Sequence, residues 1–271
     1  KVKLLFPEHH LSHAASAFYP SPFNEAAVLT IDGVGEWATA SICHGKGKDF
    51  KILKELKFPH SLGLLYSAVT YYCGFKVNSG EYKLMGLAPY GIHGSPEVKR
   101  YEDLIKQHLV SIKDDGSIWL NQAYFNYATG LRMVHDDKWE GLFGFKRRDG
   151  ESLLEQHHCD FALAIQNVTE EVVVKMAAEA QRLTGSPYLC LAGGVALNCV
   201  ANGKLQNTGM FREIFIQPAA GDAGGALGAA LAAHYLYFNQ PRTVDRTALD
   251  GMNGSYLGPE YSDLDIKQAA R

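Results

Sequence analysis

Two histidines, His9 and His13, stand four residues apart in Pro7-Glu8-His9-His10-Leu11-Ser12-His13. Side chains four apart on a helix share a face, so both imidazoles can point at one ion. An apolar stretch from Ala26 to Ile31 follows and ends in Asp32-Gly33-Val34-Gly35. A carboxylate at the end of a buried strand is held rigidly, which makes Asp32 a natural third ligand. Two imidazoles and a carboxylate suit a first-row transition metal with positions left open for a substrate. His10 is adjacent to the pair but off its face, and is left out of the set.

Later turns could handle an anion. Gly193-Gly194 leaves the apolar strand Tyr188–Ala192 and leads into a helix, presenting free N–H groups and a positive dipole end to a nucleotide. Gly221-Asp222-Ala223-Gly224-Gly225 repeats this one unit later with a carboxylate at its apex; Asp222 as a helix N-cap is the alternative. The glycines after Asp32 also allow close approach of an anion, although hairpin turns use the same letters for structural reasons. None of these turns matches the dinucleotide fingerprint or the P-loop.

The elements that must position these residues read as α/β. Lys1–Phe6 reads as a strand feeding the histidine helix, which ends by Pro20. Ala26–Ile31, Ala38–His44 and Phe50–Phe58 read as consecutive strands, and Leu62–Phe75 as a buried helix. Glu81 and Lys83 then sit two apart in a Gly-bounded stretch, where a surface ion pair is the plain reading. Between residues 92 and 158 the pattern weakens. Val110–Leu120 is a hairpin around an Asp-Gly turn, and Tyr124–Tyr127 and Phe143–Asp149 read as an insertion with its own local packing. Phe161, Ile165, Val168, Val172 and Met176 recur at three- and four-residue steps and mark a long helix over Asp160–Leu183. Strand, glycine turn and helix then alternate twice, the last helix running from Ala223 to Phe238.

Composition bounds the reading. The chain has 271 residues, 46% hydrophobic and 20% charged, as in an ordinary globular protein. A formal net charge of -3 argues against a nucleic-acid or acidic-membrane binder. Five cysteines without a CxxC pair fit free thiols in the cytoplasm. The longest nearly apolar run, Ala223–Ala233, is too short to cross a bilayer. Both ends fall inside apparent elements, so a piece of a longer polypeptide is expected.

The motifs His9-His10-Leu11-Ser12-His13-Ala14-Ala15-Ser16-Ala17-Phe18, Ile31-Asp32-Gly33 and Lys83-Leu84-Met85-Gly86-Leu87-Ala88-Pro89-Tyr90-Gly91 resemble those of the O-carbamoyltransferases, which include the nodulation-factor and antibiotic enzymes. Ala192-Gly193-Gly194-Val195-Ala196-Leu197-Asn198, Gly221-Asp222-Ala223-Gly224-Gly225 and Tyr256-Leu257-Gly258-Pro259 extend the resemblance over nearly the whole chain. It implies a domain of the actin/sugar-kinase/heat-shock ATPase fold, similar to the subunit that modifies tRNA with threonylcarbamoyl. Two ribonuclease-H-like lobes clamp ATP in that fold. Residues 1–20 would end the first lobe, 21–245 would form the second with an insertion at 92–158, and 246–271 would lead to a further domain.

By the same resemblance, His9, His13, Asp32 and Asp222 would hold a divalent metal, usually iron. Gly33, Gly35, Gly224 and Gly225 would line the phosphates, and Gly193, Gly194 and Asn198 the adenosine side. The catalytic roles fall to His13, Asp32 and Lys83, the last as a cation near the phosphates. Carbamoyl phosphate and ATP would give carbamoyl-adenylate in the separate domain. The carbamoyl group would then pass here to a hydroxyl of a small-molecule or sugar acceptor. No nucleic-acid or membrane partner is expected, and a homodimer is left open. A kinase or ATPase of the same fold and a non-catalytic nucleotide-binding module are the alternatives.

Overall fold

A computed structural model of the chain describes residues 3–244 and 250–271. Its helices are α1 (His9–Phe18), α2 (Leu62–Tyr72), α3 (Glu81–Leu87), α4 (Pro96–Leu104), α5 (Asp136–Phe143), α6 (Gln156–Thr184), α7 (Cys199–Asn207), α8 (Gly225–Ala232) and α9 (Asp263–Ala269). Its strands are β1 (Glu25–Gly35), β2 (Ala38–Lys46), β3 (Asp49–Lys57), β4 (Val110–Ile112), β5 (Ile118–Leu120), β6 (Tyr188–Ala192) and β7 (Glu213–Ile216).

The main sheet has the order β3-β2-β1-β6-β7. Tight turns join β1 to β2 and β2 to β3, so those pairs are antiparallel. The strands β6 and β7 are reached through helices and run parallel to β1 and to each other. The fold is therefore mixed α/β around a mixed sheet. Central β1 is buried from Ala26 to Asp32, as expected of a strand covered on both faces. Edge strand β3 keeps Lys51, Lys54 and Lys57, whose charges discourage further pairing.

Each face of the sheet has its own core. Leu29, Ile31, Ala40 and Ile42 pack with Leu65, Val69, Ile165 and Val168 of α2 and α6. On the other face Val28, Cys43, Cys190 and Ala192 pack against Ala14, Ala15, Ala17 and Phe18 of α1. Small residues let α1 and α8 approach closely there. A β-carbon on Gly228 would lie 1.8 Å from the Ser12 carbonyl oxygen.

The histidine helix packs directly on this sheet through its alanine face. Three expectations from sequence are corrected. No strand forms over described residues 3–6, where Leu4 and Phe6 are exposed rather than packed in a sheet. The aromatic insertion does not pack by itself. Phe125, Trp139 and Phe143 join Tyr72, Tyr101 and Phe161 in the α2/α6 core, where ring-to-ring contacts bury them. The last helix is divided into a 3-10 turn at Asp222–Gly224, α8, and a π turn at Ala233–Tyr237. The expected boundary at 245/246, like Lys1 and Val2, lies outside the described residues. Among the described residues no helix is long and apolar enough to cross a membrane, and all five cysteines are free.

The α1–α8 contact gives a paired test. Gly228→Ala should destabilise the chain by about 1–3 kcal/mol through overpacking. Gly225→Ala, three residues earlier with nothing within 4 Å of its added carbon, should be neutral or slightly stabilising. Urea unfolding of both variants measures the difference.

Candidate metal centre

The first two ligand candidates come from α1, where His9 opens the helix and His13 follows one turn later, fully buried. Asp32 lies where the β1–β2 register breaks, between Ile31 and Gly35. Such a bulge turns a side chain out of the ladder, and here it aims the carboxylate at α1. Ser61, the N-cap of α2, props the bulge. Its hydroxyl lies 2.6 Å from the Gly33 carbonyl and 3.1 Å from that of Asp32, and accepts from Leu64 N–H. A β-carbon on Gly63 would meet the Asp32 carbonyl at 2.5 Å, so the helix start fits there only as glycine.

The two oxygens of Asp32 are divided. Oδ1 accepts from the N–H groups of Gly33 at 2.8 Å and Gly194 at 3.1 Å. Oδ2 lies 2.9 Å from His9 Nε2 and 3.1 Å from His13 Nε2. The two Nε2 atoms are 2.9 Å apart. Asp222 completes the cluster from the 3-10 turn before α8, with Oδ1 3.5 Å from each Nε2. Its side chain is 80% exposed, so the cluster opens to solvent on that side. Asp222 does not cap α8, whose N-cap is Gly224 without a side-chain bond.

The donor set fits one transition-metal ion. All four donor atoms lie within 4.8 Å of one another. Two ligands about 2.1 Å from one ion lie roughly 3.0 Å apart at a right angle and about 3.4 Å apart at a tetrahedral one. The observed imidazole–imidazole and imidazole–carboxylate spacings, 2.9 to 3.5 Å, cover that range. Two imidazole nitrogens this close also need a cation or a shared proton between them.

Burial alone would raise the Asp32 carboxyl, but hydrogen bonds from His13, His9 and the Gly33 N–H overcome it and hold the group well below the usual carboxylate range. The hydrogen bond to Asp32 holds His9 above its ordinary value, against the burial that lowers it. Burial pushes His10 down to about 4. Its Nδ1 pairs with Thr30 Oγ1 at 2.7 Å, which turns the ring away from the cluster.

The glycines expected to offer free amides to phosphate have those amides in use. Gly33 and Gly194 donate to Asp32, Gly193 to the Ala220 carbonyl at 2.8 Å, Gly224 to Gly221 and Gly225 to Asp222. They build the cluster. Gly193, at φ +90°, lets β6 leave the sheet beneath β1, since a β-carbon would sit 2.3 Å from the Ile31 carbonyl. Gly35 leaves room for His9, whose ring would lie 2.1 Å from an added β-carbon. Asn198 caps α7 and exchanges two hydrogen bonds with the buried Gln166, so its amide faces inward. Lys83 is exposed on α3 and makes no ion pair among the described residues. Its neighbour Glu81 instead accepts from Ser67 and from the Asn78 and Gly80 N–H groups. Sequence reasoning missed Ser61 and Gln166; a serine before an apolar run signals the α2 cap, but nothing local signals what it props.

A family model and several relatives match the chain over most of its length. The model described as "Carbamoyltransferase N-terminus" matches residues 1–231. An uncharacterized protein of Synechocystis sp. is 58% identical over 97% of this chain and 42% of its own length. The nodulation protein NolNO of Sinorhizobium fredii is 40% identical over 98% of this chain and 36% of its own. The chain thus spans about two fifths of the length of these relatives. A crystal structure of T. kodakarensis HypF is a more distant likeness, with a TM-score of 0.44 and 16% identity over 88% of this chain and 37% of that one.

In metal-free protein the His9 imidazole should titrate above about 6.5, and Asp32→Asn should lower it. The sign for stability follows: the His9–Asp32 interaction contributes fully below the unfolded imidazole value and is lost as pH rises through His9's raised one. Gly35→Ala should lower the His9 value as well by displacing the ring. NMR titration of the imidazole resonances reads all three.

Proposed function

The chain belongs to the carbamoyltransferase family, and from that premise we propose that it is the metal- and ATP-binding domain of an O-carbamoyltransferase. Carbamoyl phosphate is the donor, activated as carbamoyl-adenylate elsewhere in the full protein, and a hydroxyl of a small molecule or sugar is the acceptor. The sheet order, three antiparallel strands followed by two parallel ones, supports reading residues 21–245 as a ribonuclease-H-like lobe of the actin/sugar-kinase/heat-shock ATPase fold, with residues 1–20 as the end of a preceding lobe. Lys83 is kept as a phosphate-facing cation because it stands exposed and without an ion pair among the described residues.

One observation carries the reading: His9, His13, Asp32 and Asp222 converge from α1, β1 and the turn before α8 onto one point near the end of the central strand. A bound divalent ion, iron by preference, would supply Lewis-acid neutralisation of phosphate charge and lower the pKa of a coordinated hydroxyl. The chain's own residues hold and orient. Asp32 is locked by two amides and the Ser61-propped bulge, and His13 by burial. Gly33 and Gly225 have neither positive φ nor a close neighbour that demands glycine, so they leave bare backbone where a phosphate chain can approach. Two imidazoles argue against a kinase, since Mg²⁺ is ordinarily held by carboxylates and water.

After anaerobic iron loading, elemental analysis should find near-stoichiometric metal in the wild-type chain and none in His13→Ala. Asp222→Ala should weaken binding by no less than the roughly tenfold that losing even an outer-shell partner costs. Uptake should fall as pH drops, because both imidazoles must be unprotonated to bind. Full-length protein given ATP, carbamoyl phosphate and an acceptor should release a carbamoylated product, whereas this chain alone should not. A phosphorylated acceptor would sink the proposal in favour of a kinase.

A further inference from the structure

Two of the four donors ride on α1, so whatever fixes the axis of this helix fixes the cluster. Its C-terminal carbonyls are gathered by one side chain from far along the sequence. Arg242 Nη2 donates to the carbonyls of Phe18 at 2.9 Å, Tyr19 at 3.2 Å and Ser21 at 3.2 Å, and Nη1 to that of Gly47 at 3.1 Å. The guanidinium carbon lies 4.3 Å from the centroid of the Phe18 ring, which is itself fully buried. A planar cation with several N–H groups suits a cluster of carbonyls at the negative end of a helix. Lysine, with a point charge, cannot span four acceptors in one plane.

The segment carrying Arg242 is pinned to the same turn a second time. Gly251 N–H donates to the Pro20 carbonyl at 2.7 Å, and Met252 beside it is buried. From the end of β7, fully buried Gln217 donates to the Ser16 carbonyl. The closest approach of α8, at Ser12, lies between this clamped end and the first-turn histidine. At about 1.5 Å per residue His13 is only some 7.5 Å along the axis from Phe18.

We propose that Arg242, which lies beyond the residues matched by the family model, is a positioning residue for the His9–His13–Asp32–Asp222 cluster. It holds the C-terminus of α1 so that both Nε2 atoms stay on Asp32. The proposal rests on reading the cluster as a metal site, and its test separates the two. Co²⁺ affinity, by chelator competition, and the visible Co²⁺ spectrum are measured for wild type, Arg242→Ala, Arg242→Lys and Leu109→Ala. The last is a destabilised control in the α2/α6 core. Imidazole ¹⁵N resonances are recorded for the same proteins without metal. Arg242→Ala should lose about tenfold in Co²⁺ affinity, the scale of an outer-shell lesion. It should also change the Co²⁺ spectrum and shift the metal-free His13 resonance. Arg242→Lys should recover part of each, and Leu109→Ala should match wild type. Wild-type resonances and affinity in Arg242→Ala would overturn the proposal. If wild type takes up no Co²⁺, the metal reading fails, and the metal-free resonances decide Arg242 by themselves. If Arg242→Ala does not fold, an unshifted His13 resonance in Arg242→Lys overturns it.

Discussion

The candidate centre depends on how one carboxylate is shared. Asp32 gives one oxygen to two backbone amides and the other to two imidazoles. The amides come from its own strand and from the exit of β6, while the imidazoles come from a helix on the sheet's face. Because each oxygen has partners on a different element, the carboxylate cannot rotate to satisfy one set without abandoning the other. A buried carboxylate left short of partners is costly, so β1, β6 and α1 are held in one mutual arrangement. Asp222 differs: it is exposed on a short turn and reaches the same point from the open side.

The asymmetry of the two faces follows from what each must carry. The α2/α6 face holds the large rings, Tyr72, Tyr101, Trp139 and Phe161, and supplies most of the buried apolar surface. Where α1 meets α8 and the sheet, the other face uses alanine and glycine, with Phe18 and Tyr19 at the far end of α1. That composition contributes less hydrophobic stabilisation, but it sets backbones close together. Ligand geometry benefits from short distances between rigid elements more than from bulk. Gly35 lets β1 sit close to His9, Gly193 lets the exit of β6 sit close to β1, and Gly63 with the Ser61 prop brings α2 close to the Asp32 bulge.

In this setting the glycine turns take a second meaning. Their amides bond to Asp32, to Ala220 and within the Asp222 turn, so the first thing they organise is the protein's own cluster. Where glycine is present without a steric demand, at Gly33 and Gly225, the open surface lies beside that cluster. Membership in the carbamoyltransferase family gives this surface a context, and the chain spans about two fifths of the length of the relatives it matches.

The sequence by itself determined most of the elements and the types of side chain that meet in the cluster. Consecutive apolar strands with tight turns, a long helix with three- and four-residue steps, and histidines one helical turn apart are local patterns, and local backbone preferences decide them. The His9/His13 pair and the Asp32 strand end were legible for that reason, and the quoted motifs carried Asp222 by resemblance. Only the tertiary structure decided what the glycine amides bond to, why Gly35 must lack a side chain, and that Asn198 turns inward to Gln166. It also decided that the aromatic insertion joins the main core and that Arg242 reaches back to α1. Each of these joins residues far apart in sequence, Gly194 to Asp32 or Arg242 to Phe18. No periodicity or propensity encodes such contacts, because they exist only once the sheet has brought the elements within hydrogen-bonding distance.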